Sequence, residues 1–97
     1  MIKVHKYTLE PHLSNTFELP LNSKVLSLQV QHGKIVIYIA LTLDSIDNVA
    51  ENKETHKFHL VPTGESVSLD LETVQYLDTA MLLGGGYVLH VFHEIIE

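Results

Sequence analysis

Seven histidines are the residues of this chain most able to do chemistry, and they invite a metal reading because neutral imidazole is the commonest protein ligand for transition metals. Their spacing argues against a local chelate. His56 and His59 are three apart, as are His90 and His93, and each pair lies in a sequence that reads as a strand. Positions three apart on a strand point to opposite faces, so neither pair can hold one ion. A cross-strand site taking one histidine from each pair stays open, but no carboxylate or carbonyl pattern stands behind it, and half-exposed strand histidines are the plainer expectation. No metal and no cofactor is expected. With unperturbed pKa values of about 6.5, the histidines would carry the net charge of −6 toward zero between roughly pH 7 and pH 5, lowering solubility there.

Two glycine-containing stretches raise the question of phosphate. Gly84-Gly85-Gly86 is followed by a strand pattern instead of a helix, with no Lys-Ser or Lys-Thr after it, so it reads as a turn. Thr63-Gly64-Glu65-Ser66 is a better candidate for an anion nest, since backbone N–H groups around a glycine and two hydroxyls can hold a small anion; a plain loop is the competing reading. The polar run with Asp44, Asp47, Asn48 and Glu51 lacks the alternate oxygens, the sixth-position glycine and the twelfth-position glutamate of a calcium loop, so it reads as a solvated loop from Asp44 to Glu54. Serines, histidines and aspartates occur, yet no nucleophile elbow, paired-carboxylate motif or zinc-hydrolase signature does. An enzyme is not expected, and no catalytic residue is assigned.

Composition narrows the function further. All six basic residues are lysines, so the side chain best suited to grip phosphates and guanine edges is missing, and twelve acidic residues would repel a phosphate backbone. Nucleic acid is therefore excluded as a partner. No cysteine is present, which removes disulfides and thiolate metal sites. The opening Met-Ile-Lys-Val-His-Lys-Tyr lacks the apolar core of a signal peptide, and no apolar stretch approaches the roughly 20 residues of a membrane helix. A cytosolic protein with no membrane partner is the expectation.

The elements that must position these groups are strands. Residues 74–83 and 87–96 are apolar runs rich in Val, Ile, Tyr and Phe on either side of the three glycines, which reads as a long C-terminal β-hairpin. Ile2 to Leu9 suits an edge strand, its lysines discouraging further pairing. Thr16 to Leu19 forms a short strand stopped at Pro20, and Leu26, Leu28 and Val30 alternate with Ser27, Gln29 and Gln31 so that the apolar set faces the core. His32-Gly33 turns the chain into Lys34 to Leu43, which is apolar on both faces; in so short a chain, a subunit interface accounts for the second one. Thr55 to Val61 puts His56, Phe58 and Leu60 on one face, and Val67, Leu69 and Leu71 alternate as a further short strand. Residues 1–97 thus form one all-β domain, a small antiparallel sandwich or barrel of about seven strands.

Lys6-Tyr7-Thr8-Leu9, the run from Val25 to Gln31 with its turn, the Phe58 strand leading into Thr63-Gly64, Thr73-Val74-Gln75, Gly84-Gly85 and His90-Val91-Phe92 together resemble a family of small uncharacterised proteins encoded mainly by bacteriophages. The chain departs from that pattern in having no tryptophan, with Tyr38 or Tyr87 in its place, and in a longer segment from Asp44 to Glu54. The resemblance implies a non-enzymatic accessory or anti-defence protein in the host cytoplasm. In one reading it is a homo-oligomer that sequesters a small ligand, a nucleotide signal among the candidates, in pockets between subunits, with Thr63, Gly64, Ser66, Tyr38 and an inward histidine such as His90 as contacts. In the other it blocks a host protein or decorates a virion protein through the doubly apolar strand or an exposed edge.

Overall fold

The strand apolar on both faces is the centre of one of two sheets. The computed structural model describes residues 1–11, 14–45, 48–49 and 51–96. Its elements run β1 (Ile2–Leu9), β2 (Asn15–Pro20), β3 (Lys24–Gln31), β4 (Lys34–Ser45), a two-residue β5 (Asn48–Val49), β6 (Lys53–Pro62), β7 (Gln75–Leu82) and β8 (Tyr87–Ile96). The first sheet has the order β1-β4-β3, with β5 paired to the far end of β4, and the second has the order β2-β6-β8-β7; every pairing is antiparallel. The sheets stack as an open sandwich, not a barrel, and the domain measures 44 × 31 × 16 Å.

Period-two alternation supplies the core. Ile35, Ile37, Ile39 and Leu41 of β4 meet Phe58 of β6, Leu89 and Val91 of β8, and Leu19 of β2, all essentially fully buried. Each such side chain contributes about 1.5–3 kcal/mol relative to exposure. Tyr7 and Phe17 (ring centroids 5.0 Å apart), then Phe17 and Phe58 (5.9 Å), carry aromatic contact from one sheet to the other. β3 and β4 are joined by His32 (φ 52°) and Gly33 (φ 75°), the two left-handed residues of the turn whose twist suits a hairpin. At the tip of the C-terminal hairpin the chain makes one 3-10 turn over Leu83–Gly85, with Gly84 and Gly85 at φ 64° and 94°.

Three sequence expectations are corrected. Residues 67–71 form no strand. The Asp70 side chain accepts from the Glu72 N–H and the Asp70 carbonyl from the Thr73 N–H, making a local turn that leaves Val67 and Leu71 exposed. The Asp44–Glu54 segment is less of a loop than expected, because β4 continues to Ser45, pairs with β5, and β6 begins at Lys53; Asp47 lies outside the described residues. In β3 a bulge between Val25 and Ser27 breaks the alternation, so Val25 joins Leu28 against the core while Leu26 is 55% exposed. The second face of β4 is partly covered by the chain itself. Val36 and Ala40 are buried within the single chain, where the register sets Thr8 and Gln29 beside Val36, and Val4 and Lys24 beside Ala40.

Candidate functional site

The outer face of the second sheet carries a continuous chain of polar side chains. Register places His90 of β8 opposite Val61 of β6 and Thr79 of β7, while its neighbours Leu89 and Val91 point into the core. His90 therefore faces outward, which corrects the inward expectation. Its Nε2 lies 2.7 Å from the Thr63 hydroxyl and its Nδ1 lies 3.0 Å from the Thr79 hydroxyl, which in turn is 2.6 Å from the Tyr76 hydroxyl. The Tyr76 ring meets Phe92 edge-on at 5.8 Å.

This row can carry its protons in either direction. A neutral imidazole donates from one nitrogen and accepts at the other. If Tyr76 donates to Thr79 and Thr79 to Nδ1, then Nε2–H donates to Thr63 and the Thr63 proton is available to a ligand. Reversing the tautomer makes Thr63 the donor to Nε2 and leaves the Tyr76 proton available instead. The site thus adapts to a ligand that accepts at either end.

Thr63 is held in place by its own backbone. The Thr63 N–H donates to the Val88 carbonyl, and the Glu65 N–H closes a turn onto the Pro62 carbonyl, with Gly64 at φ 88° in the position where a type II turn favours glycine. Those two bonds occupy amides that an anion nest would use, and Glu65 adds a carboxylate, so the nest reading does not survive in its simple form. A cleft of about 370 Å³ beside the turn is lined by Pro62, Thr63, Glu65, Gly86, Tyr87 and Val88. Ser66 follows, exposed. Tyr38 is not in this group. It lies on the outer face of the first sheet, across the sandwich, where its hydroxyl accepts from Gln31 Nε2 at 2.7 Å.

Of the residues singled out in the sequence, the structure brings Thr63 and His90 together, and it adds Thr79 and Tyr76, which sequence reasoning missed. Counting back from the glycine turn would have found Thr79, since hairpin register alone puts it across from His90.

A second polar row runs into the core. His56, fully buried, has Nε2 at 3.0 Å from Glu54 Oε1 and Nδ1 at 2.8 Å from His93 Nε2. If the Glu54 carboxylate accepts from Nε2–H, then His93 donates to Nδ1, and every nitrogen inside the core is satisfied. The expectation of half-exposed histidines fails at His56. Burial, with the neighbouring His56 second, lowers the His93 pKa to about 4 against the opposing pull of Glu54 and Glu94. His93 stacks on Phe58 at 4.7 Å and borders a cleft of about 320 Å³ that also includes Glu72, Thr73 and Gln75. On the outer face, His59 Nε2 is 3.0 Å from Glu94 Oε1. Among the described residues no three His, Asp or Glu side chains are so placed that they could hold one metal ion.

A family described as a domain of unknown function, DUF7352, matches residues 1–97. The chain belongs to the DUF7352 family. No curated protein and no solved structure matches it. For this DUF7352 domain the candidate site is accordingly defined by its own geometry: the Thr63–His90–Thr79–Tyr76 row on the outer face, with the core row of Glu54, His56 and His93 behind the sheet.

Proposed function

We propose that this DUF7352 domain is a non-enzymatic binding protein that holds a small polar ligand at the Thr63–His90 row and works as a homo-oligomer. The observation that carries this reading is the exposed hydroxyl–imidazole–hydroxyl chain beside the cleft at Thr63 and Tyr87. Both nitrogens of His90 are engaged by threonines, and the group behind the ring is a hydroxyl, not a carboxylate, so nothing there stabilises an imidazolium during turnover. Such a row orients a ligand better than it activates a nucleophile.

The ligand class that fits is one read by hydroxyl, imidazole and aromatic contacts, such as the base and ribose of a nucleotide, since the Thr63 and Glu65 amides are already spent on carbonyls. The resemblance to phage-encoded proteins supports an accessory, anti-defence role in a host cytoplasm, in which the ligand is a nucleotide signal. A second reading rests on a different observation: Ile2, Val4 and Leu26 of the first sheet are 62%, 49% and 55% exposed, which suits binding to a host or virion protein.

The test is native mass spectrometry of the purified chain after incubation with a deproteinised cell extract. Wild type is expected to retain a defined small-molecule mass that Thr63→Val and His90→Phe do not. Wild type that stays bare in every extract overturns the ligand reading.

A further inference from the structure

An open sandwich leaves each sheet with two free edges, and three of the four here are blunted. β2 is six residues long, carries Glu18 and stops at Pro20, while β3 and β7 are bent by bulges at Val25/Ser27 and Tyr76/Asp78. β1 has no such device. Its eight residues pair with β4 in unbroken register, from Ile2 with Thr42 to Leu9 with Ile35, and among the described residues no strand takes up its other side. The Leu43 N–H donates to the Met1 carbonyl one step before that ladder begins, so alternation gives the backbone groups of Lys3, His5, Tyr7 and Leu9 to β4. Ile2, Val4, Lys6 and Thr8 therefore turn their N–H and C=O groups to the free edge. All four are exposed, Ile2 at 62% and Val4 at 49%.

The charge along this edge has one sign. β1 carries Lys3, His5 and Lys6 and no acidic residue; Glu10 follows its last residue, and Asp44 lies past its first on the neighbouring strand. We infer that β1 is a docking edge for an extended acidic segment of another protein, which adds an outer strand to the first sheet by pairing its backbone with Ile2, Val4, Lys6 and Thr8. A second copy does not fit. Two β1 strands paired about a two-fold axis would set two lysines and a histidine against the same set, whereas carboxylates on an added strand meet Lys3 on one face and Lys6 on the other. Lysines that discourage indiscriminate pairing at an edge thus choose among partners by charge. Main-chain bonds supply the affinity, and Ile2 and Val4 offer apolar contact on the same face as Lys6. The inference uses nothing from the Thr63–His90 row, and it gives the second reading above a chemical class of partner.

Hydrogen exchange followed by NMR reads the edge directly. In the free protein the amides of Val4, Lys6 and Thr8 should exchange fast and those of His5 and Tyr7 slowly. The probe is a labelled peptide of alternating valine and glutamate about as long as β1, with its valine–lysine counterpart as control. The acidic peptide is expected to slow exchange at Val4, Lys6 and Thr8 about tenfold or more, and to bind about tenfold or more tighter than the lysine peptide, less so as salt rises. Val4→Pro removes one outward N–H and spares the bonds to β4, so it should keep the unfolding midpoint and lose the peptide. The double variant Lys3→Glu, Lys6→Glu should reverse the charge preference, and it carries the test alone if Val4→Pro does not fold. Equal binding of both peptides, binding of neither, or a folded Val4→Pro that still binds would each overturn the inference. Slow exchange at Val4, Lys6 and Thr8 in a free protein that is a dimer also overturns it, because a second copy then holds the edge. Acidic peptide that binds while those amides stay fast, with shifts at Leu26 and Val30 instead, sinks the edge and leaves the second reading standing.

Discussion

His56 and His93 show how position on a strand decides what a histidine does. His59 and His90 lie on the outer face and are bonded to Glu94 and to two threonines, while His56 sits in the core with Glu54 and His93 as partners. A His93 pKa lowered to about 4 means that the native state keeps this ring neutral where an unfolded chain, near 6.5, would bind a proton. The unfolded state then holds more protons between these values, so the stability linked to His93 is fully present above about pH 6.5 and is lost as pH falls toward 4. The urea midpoint of wild type is expected to drop across that window, and His93→Gln to flatten the drop; identical slopes in both proteins would refute the assignment. His56→Ala removes a partner from both Glu54 and His93 and opens a cavity, for an expected loss of about 2–4 kcal/mol by urea denaturation.

At the scale of elements, the hairpins depend on left-handed backbone at a few residues. Gly85 has φ 94°, and a Cβ there would meet nothing within 4 Å, so Gly85→Ala is strained by conformation alone. About 1–2 kcal/mol of destabilisation is expected, measurable as a fall of several degrees in Tm with no change in the near-UV spectrum. The strand β4 is the opposite case. Its inner isoleucines are locked between two sheets, and Ile37→Ala should cost about 2–5 kcal/mol by the same denaturation measurement. Most strands were legible from alternation, and the hairpin from its glycines. The false strand at 67–71 had alternation too, but Asp70 offers the backbone amides a local acceptor and no sheet edge takes them up.

For the whole molecule, the chain crosses between sheets after β1, after β2 and after β5, so most contacts join residues distant in sequence. Loop closure must precede those contacts, which places folding in the millisecond-to-second range; a microsecond refolding phase carrying the full amplitude in stopped-flow or temperature-jump work would contradict this topology.

The sequence by itself determined the all-β class, the C-terminal hairpin and the opposite facing of His56 from His59, because each follows from local period or from the glycines of a turn. Only the tertiary structure decided which face was the core. That choice depends on how two sheets stack, and it turned His90 outward, buried His56, set Tyr38 on the far side of the sandwich and let neighbouring strands shield Val36 and Ala40. Alternation states that two faces differ, whereas burial is fixed by whatever strand arrives from elsewhere in the chain.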